Sequence, residues 1–186
     1  MTNNSKFILY LDLDGVLTSE NFIIYTHNCL TEYNENKNKN TLHCRNFLQR
    51  FCFQQEGIDY LNKLYNEIQY DIVLSSTRRV EFSLDNWNFI FNLNKIKPKI
   101  IGITPHFSFN KDRYTWREDE IYKYHFIDNK LNNIPFIIID DDIFDLQKYK
   151  DRLIKVNTES GLTLDYYNET LEKLKNQGVK YEICND

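Results

Sequence analysis

Two carboxylates separated by a single residue follow a short apolar run near the start of the chain. Asp12 and Asp14 come directly after the run Phe7–Leu11, and Gly15 behind them lets the backbone turn sharply. Carboxylates at this spacing repel each other unless a cation lies between them or one of them holds a proton. Either condition is useful in catalysis, so this sequence is a candidate catalytic site.

Two further groups of polar residues also follow apolar runs. The hydroxyl-rich turn Ser75–Arg79 comes after Asp71–Leu74, and its guanidinium groups can form paired hydrogen bonds with phosphate oxygens. Three successive carboxylates, Asp140–Asp142, come after the run Pro135–Ile139. Such a triplet is costly at a strand end unless it holds a metal, and its oxygen ligands favour a hard cation such as Mg²⁺.

A basic residue opens a predicted helix between these groups. Glu118–Glu120 suit a helix N-terminus because negative charge is favourable there, whereas Arg117 does not and needs another role. Each group also has a structural interpretation, namely a calcium-type turn, a helix cap or a polar turn. Together they are more specific, because all of them fall at strand ends or at a helix start in one fixed order.

The apolar runs that position these residues have the length and composition of strands buried in a parallel sheet. The predicted strands are 7–11, 71–74, 99–103, 135–139 and 152–156. The predicted helices are 57–68, 82–93, 119–126, 143–149 and 164–176. This alternation predicts an α/β fold with a three-layer, Rossmann-like parallel sheet, in which ligands bind outside the carboxyl ends of the strands.

We expect a single domain, residues 1–186, with residues 18–55 as a small cap or flap inserted after the first strand. The insertion also contains residues of the types that bind zinc, namely His27, Cys29, His43, Cys44 and Cys52. Their spacing is not that of a recognised zinc ribbon or knuckle. Packed thiols and surface histidines are therefore the alternative to a zinc site.

Composition and charge exclude several classes of protein. A hydrophobic content of 41% is ample for a core, so wholesale disorder is excluded. No apolar run approaches the roughly 20 residues that span a bilayer, and Met1–Lys6 lacks the pattern of a signal peptide. We therefore expect a cytoplasmic protein with no membrane partner. The net charge of −4 gives no overall attraction to nucleic acid, so such a partner requires a local basic patch.

The order of the polar groups resembles that of the haloacid dehalogenase (HAD) superfamily of phosphotransferases. Its first motif, a strand followed by Asp-x-Asp-Gly, matches Asp12–Gly15, and its second, a Ser or Thr after a strand, matches Ser75. The third, a Lys or Arg near a helix start, is best matched by Arg117. The fourth, an acidic pair after a strand, matches Asp140–Asp141. Val16 stands where many members have Thr, which leaves the carboxylates untouched.

A narrower resemblance is to the HAD domain of multifunctional RNA-repair proteins, which is related to the 3′-phosphatase domain of polynucleotide kinase-phosphatases. The sequences that carry it are Leu74–Arg78, Ile101–Pro105, Arg117–Ile121, Ile139–Asp142 and Gly161–Thr163. The two resemblances together cover nearly the whole chain and leave only the insertion unmatched.

The resemblance implies a Mg²⁺-dependent phosphomonoester hydrolase that works through an aspartyl-phosphate intermediate. Asp12 would be the nucleophile, and Asp14 the general acid and then the general base. The implied metal ligands are Asp12, the main-chain carbonyl of Asp14, and Asp140 with or without Asp141. The implied phosphate-binding residues are Ser75, Ser76, Arg78 and Arg117, the last replacing a Lys that many relatives use. Hydrolytic dehalogenases lack an acid at the position of Asp14, so ester hydrolysis is favoured.

The short insertion predicts an open site, which suits the end of a polymer. The leading hypothesis is therefore hydrolysis of 3′-phosphate ends of RNA or DNA. A small-molecule (nucleotide) phosphatase is the first alternative and a catalytically silent binding module the second, which the intact motifs argue against. Residues that could supply local positive charge are Arg78, Arg79, Lys111 and Arg113. Aromatic residues that could stack on bases, or pack in the core instead, are Trp87, Tyr114 and Trp116.

Overall fold

One parallel sheet forms the centre of the fold, in a computed structural model that describes residues 7–26, 52–107 and 116–181. Within these ranges the strands are β1 Phe7–Leu11, β2 Tyr70–Leu74, β3 Ile100–Ile103, β4 Phe136–Asp140 and β5 Leu153–Lys155. The strand order is β3-β2-β1-β4-β5, and every neighbouring pair is parallel. The predicted α/β class and parallel sheet are confirmed.

Helices cover both faces of this sheet. The α-helices with described bounds are α1 Gln55–Glu67, α2 Leu84–Leu93, α3 Arg117–Tyr122 and α4 Tyr167–Asn176, and residues 20–26 are also helical. A π-helical turn, Lys123–Asp128, continues α3, and 3₁₀ turns form at Thr77–Val80, Gln147–Tyr149 and Leu164–Tyr166. None of the helices in the described ranges is long and apolar enough to cross a membrane.

Alternation along the strands divides the core into two layers. In β1, Leu9 and Leu11 belong to a cluster that includes apolar residues of α1, α2 and α4, whereas Ile8 and Tyr10 belong to a second cluster. The second cluster contains Ile121 of α3. All five β1 residues are buried, which is why this strand reads as an unbroken apolar run. The predicted three-layer arrangement is confirmed.

The chain order of the strands reverses between β1 and β4, so a crevice is expected where these two strands end. The main-chain N–H of Asp12 donates to the carbonyl oxygen of Ile139 at 3.0 Å, directly after β1. Asp140 is the last residue of β4. The fold therefore brings the first and fourth sequence motifs to the same point of the sheet edge.

The helix predicted over 143–149 is wrong, because only Gln147–Tyr149 form a 3₁₀ turn there. Carboxylates in this segment instead accept hydrogen bonds from N–H groups two residues further on, a pattern typical of turns. Asp140 Oδ1 accepts from the N–H of Asp142 at 2.9 Å, and Asp142 Oδ1 accepts from the N–H of Phe144 at 2.9 Å. The segment after β4 is consequently a hydrogen-bonded loop.

Both described ends of the 18–55 insertion are held by the loop after β5. The N–H of Glu20 donates to the carbonyl oxygen of Thr158 at 3.0 Å, and Gln54 Nε2 donates to the carbonyl oxygen of Leu162 at 3.1 Å. Gly161 has a φ of +70°, and a Cβ there would lie 2.4 Å from Gln54 Nε2. The loop therefore needs glycine to contact the insertion.

The proposed zinc ligands His27, Cys29, His43 and Cys44 lie outside the described residues. Cys52, the fifth, is a free thiol. The zinc site, the cap role of residues 18–55 and the domain limits 1–186 stay predictions.

Candidate active site

Three carboxylates converge at the ends of β1 and β4. Asp12, Asp140 and Asp141 each offer an oxygen, and these oxygens lie within 4.8 Å of one another. Asp12 is 5% exposed and Asp140 is fully buried. Burial of several carboxylates is unfavourable unless cations compensate their charge. These are the same three carboxylates that the sequence predicts as metal ligands, and the structure brings them together.

Arg117 provides one compensating charge. Its Nη1 lies 3.2 Å from Asp12 Oδ2 and also hydrogen-bonds Asp140 Oδ2. The first turn of α3 is held in place by Asp145, whose Oδ2 accepts from the N–H of Arg117 at 3.4 Å. The carbonyl oxygen of Asp145 accepts from the N–H of Glu118 at 3.0 Å. Sequence reasoning missed Asp145, because nothing in its spacing from Arg117 indicates the contact.

Burial and the charges of neighbouring groups shift the pKa values of Asp12, Asp140 and Arg117. Burial raises the pKa of the Asp12 carboxyl, against the opposing effect of Arg117. Burial and the charge of Asp12 raise the pKa of Asp140 well above its usual range. Burial alone would lower the pKa of Arg117, but Asp140 and Asp12 raise it above its ordinary value. Arg117 is therefore permanently charged, whereas the carboxyls of Asp12 and Asp140 bind protons at a higher pH than ordinary carboxyls do.

A hydroxyl at the end of β2 has no partner within the described ranges. Ser75 is fully buried, and its N–H donates to the carbonyl oxygen of Leu11 at 3.0 Å, which places it beside the end of β1. Its Oγ makes no hydrogen bond to any described residue. Buried hydroxyls normally have a partner, so this one is available to a ligand.

A sequence model of one protein family matches residues 8–166, and its description is the HAD domain in Swiss Army Knife RNA repair proteins. The chain belongs to this family. This match confirms the resemblance that the motifs indicated. A HAD domain implies a hydrolase of the phosphatase type. Comparison with curated proteins gave no match, and neither did comparison with solved structures.

The carboxylate cluster of this HAD domain fits a magnesium ion. Asp12 Oδ1 is buried and makes no hydrogen bond to any residue of the described ranges. All three side chains offer the hard oxygen donors that Mg²⁺ prefers, and magnesium is the usual metal of the superfamily. Asp141 Oδ2 also accepts from Thr158 Oγ1 at 3.0 Å, which orients that carboxylate. Asp142 is exposed and lies outside the cluster.

We expect Mg²⁺ affinity to fall when the pH is lowered from about 8 to about 6, because metal and protons compete for the same carboxylates. Carboxyls with the ordinary pKa of about 4 would stay ionised over this range and bind equally well. The raised pKa values of Asp12 and Asp140 predict competition that begins at higher pH. Titration calorimetry at several pH values checks this, and a flat affinity over this range would contradict the raised values.

The two carboxylates of the first motif differ in exposure, since Asp12 is buried and Asp14 is exposed. The Asp14 side chain is 52% exposed, and its Oδ1 lies 3.3 Å from both Arg78 Nη1 and Thr18 Oγ1. Gly15 has a φ of +72°, and a Cβ there would lie 2.3 Å from Asp141 Oδ2. Glycine at this position therefore permits both the turn and the approach of the acidic loop. The side chain of Asp14 is not part of the carboxylate cluster.

The second motif supplies a hydroxyl that caps a turn and a guanidinium that lies beside Asp14. Ser76 Oγ accepts from the N–H of Arg78 at 3.3 Å and so caps the 3₁₀ turn, while the Arg78 side chain is 10% exposed beside Asp14.

The catalytic, phosphate-binding and metal roles assigned to the motif residues stay predictions.

Arg79 is not available to nucleic acid, contrary to the prediction that it adds local positive charge. It is 2% exposed, and its guanidinium donates to the carbonyl oxygens of Ser76 at 2.7 Å and Thr104 at 3.0 Å. It also pairs with Glu120 Oε2 at 2.6 Å. Arg79 therefore joins the ends of β2 and β3 to α3, a role that sequence reasoning missed.

The candidate base-stacking residues differ in exposure. Trp87 is fully buried, and its Nε1 donates to the carbonyl oxygen of Arg79 at 3.2 Å, so of the two alternatives it packs in the core and does not stack on bases. Trp116 is 48% exposed. Tyr114, Lys111 and Arg113 lie outside the described residues.

Replacing Ser75 by Ala should weaken phosphate binding without destabilising the fold. A hydrogen bond to a charged phosphate is worth about 1.5–3 kcal/mol, so inhibition by inorganic phosphate should weaken roughly 10- to 100-fold. The free energy of unfolding should stay the same or rise, because the lost hydroxyl has no described partner. Phosphate inhibition and urea denaturation check the two parts.

The control is Ser83→Ala, at the N-cap of α2. Ser83 Oγ accepts from the N–H of Asn86 at 3.3 Å, so its loss should cost about 1 kcal/mol of stability and leave phosphate affinity unchanged. If Ser75→Ala instead lost stability and kept its affinity for phosphate, Ser75 would have a structural role only.

Proposed function

We propose that this HAD domain is a Mg²⁺-dependent phosphatase that removes 3′-phosphate groups from the ends of RNA or DNA. The observation that carries the proposal is the position of Asp12, which is buried at the switch point of the sheet beside two further carboxylates and Arg117. A phosphoryl group there would meet a nucleophile, a permanent positive charge and the hydroxyl of Ser75.

The first step is attack by Asp12 on phosphorus, which forms an aspartyl-phosphate and breaks the bond to the 3′-oxygen. Arg117 and Ser75 Oγ bind phosphoryl oxygens and hold phosphorus in line with the carboxylate. The residues that would hold Mg²⁺ are Asp12, Asp140, Asp141 and the main-chain carbonyl of Asp14. When bound there, Mg²⁺ would neutralise negative charge on the nucleophile and the phosphoryl group.

Asp14 is suited to moving the proton. Its Oδ1 is near two donors, Arg78 Nη1 and Thr18 Oγ1, and half of the side chain is exposed, so the carboxyl is accessible to a substrate. The protonated carboxyl gives its proton to the leaving 3′-oxygen. The resulting carboxylate then takes a proton from the water that attacks phosphorus, which releases phosphate and regenerates Asp12.

Two observations favour a polynucleotide end as the substrate. The family description names RNA repair proteins. The guanidinium of Arg78 lies 3.3 Å from Asp14, the proposed acid, and so adds positive charge near the leaving oxygen. A nucleotide phosphatase remains the alternative, since the phosphoryl site alone would serve a monophosphate equally well. The cytoplasmic location stays a prediction.

Turnover of matched substrates tests the proposal. With Mg²⁺ present, kcat/KM should be higher for a 3′-phosphorylated oligonucleotide than for free nucleoside monophosphates. Equal or better turnover of the monophosphates would reject the polymer-end hypothesis and leave a small-molecule phosphatase. Absence of phosphate release from every substrate would instead favour the silent binding module.

A further inference from the structure

Two exposed aromatic side chains lie next to residues of the active site. Trp116 is 48% exposed and directly precedes Arg117, whereas Phe144 is 79% exposed and directly precedes Asp145. The N–H of Arg117 donates to Asp145 Oδ2 at 3.4 Å, and the N–H of Glu118 donates to the carbonyl oxygen of Asp145 at 3.0 Å. The segments that carry the two aromatic residues are therefore joined at the main chain of Arg117 and Glu118. We call Trp116 and Phe144 the aromatic rim.

The main chain of Phe144 has a defined position relative to the carboxylate cluster. Its N–H donates to Asp142 Oδ1 at 2.9 Å, and the N–H of Asp142 donates to Asp140 Oδ1 at 2.9 Å. Two consecutive hydrogen bonds thus connect Phe144 to Asp140, a proposed metal ligand. The exposed ring is carried by the same loop that shapes the metal site.

Exposure of this much aromatic surface is unfavourable in water, since covering apolar area gains about 25 cal/mol per Å². Phe89 on α2 is also exposed, so exposure alone does not distinguish the aromatic rim, whereas the position of the rim beside Arg117 and Asp145 does. Because Trp116 adjoins Arg117 and Phe144 adjoins Asp145, a group attached to a phosphoryl group bound by Arg117 would lie near the aromatic rim. In a polynucleotide end that group is a nucleoside, whose base has a flat face that stacks on aromatic side chains.

We propose that the aromatic rim stacks on the terminal nucleobase of the polynucleotide end. This inference rests on the proposed function and deepens it, because it names the residues that bind the base next to the phosphate. Stacking of a base is worth about 1–3 kcal/mol and depends little on which base is present. The subsite therefore recognises a nucleoside at the end of the chain without selecting its sequence.

The test compares two 3′-phosphorylated oligonucleotides that differ only in the terminal nucleotide, which has a base in one and is abasic in the other. For the base-bearing end, Trp116→Leu and Phe144→Leu should each lower kcat/KM about tenfold. For the abasic end, both variants should match the wild type. Phe89→Leu is the control, because Phe89 is 61% exposed on α2 and should affect neither substrate.

Tryptophan fluorescence gives a readout that does not depend on turnover. The chain has two tryptophans, of which Trp87 is fully buried and Trp116 is exposed. In the Asp12→Asn protein, the base-bearing oligonucleotide should quench this fluorescence at saturation, and the abasic one should not. Quenching should disappear when Trp116→Leu is added.

Three results would each overturn the proposal that the aromatic rim stacks on the base. The Leu variants could lose kcat/KM equally on the two oligonucleotides, or keep the wild-type kcat/KM on both. The two oligonucleotides could also quench the tryptophan fluorescence equally. Failure of the proposed function looks different, because wild-type protein would then release no phosphate from either oligonucleotide. In that case the rim proposal falls with it.

Discussion

Replacing Asp12 by Asn should abolish phosphate release, lowering kcat by about 10⁴-fold or more. The amide retains the size of the side chain but is a poor nucleophile and a weaker ligand for a cation. Asp140 and Asp141 have oxygens within 4.8 Å of Asp12, but both would be engaged as metal ligands and so would not replace the nucleophile. Phosphate release from a 3′-phosphorylated oligonucleotide, with Mg²⁺, measures the effect.

Asp142→Asn is the matched control for this substitution. Asp142 lies in the same region of the sheet edge but is exposed and outside the carboxylate cluster. Its Oδ1 accepts from the N–H of Phe144, and the carbonyl oxygen of Asn can accept the same bond. This variant should keep its activity within about twofold of the wild type. Equal activity of the Asp12→Asn and wild-type proteins would exclude the enzyme assignment.

Replacing Arg117 by Ala should have the second-largest effect. We expect kcat to fall about 10³-fold, because a fixed positive charge at the phosphoryl oxygens is lost. Without metal, the free energy of unfolding should also fall by about 3 kcal/mol at alkaline pH, since Asp12 and Asp140 keep buried charges with their ion-pair partner removed. Phosphate release and urea denaturation without metal measure the two effects.

The stability loss in Arg117→Ala should shrink as the pH falls. Without Arg117 the pKa values of the two carboxyls in the folded protein rise further above their unfolded values. The folded protein then binds more protons than the unfolded chain, so lowering the pH stabilises it. Arg117→Lys is the control and should keep most of the stability and part of the activity, as the superfamily often has Lys there. An active Arg117→Ala protein would contradict the role of this residue.

Local patterns were sufficient to predict the sheet and the carboxylate cluster. The run Phe7–Leu11 is buried on both faces, and parallel strands end at a common edge, so Asp12 and Asp140 had to approach each other. The need for a special role at Arg117 was likewise visible, because a basic residue opens a short acidic helix.

Other features depend on contacts between distant residues. Arg78 and Arg79 are adjacent in sequence, yet Arg79 is fixed by Glu120, which lies 41 positions away. The same holds for Trp87 and Trp116, whose local sequences do not indicate which one is buried. The loop after β4 is a local exception: its apolar spacing predicts a helix, but the carboxylates of Asp140 and Asp142 accept hydrogen bonds from N–H groups two residues on and form turns there.

The most direct test of the central claim, covalent catalysis by Asp12, uses the Asp14→Asn protein and 4-nitrophenyl phosphate. Nitrophenolate leaves without a general acid, so the first step should proceed normally, while hydrolysis of the aspartyl-phosphate should be slow without a base. With Mg²⁺, we predict a rapid burst of one equivalent of nitrophenolate per protein molecule, followed by a slow steady rate. The burst should be absent when Asp12→Asn is added. Release without a burst, or a burst that persists without Asp12, would contradict the account.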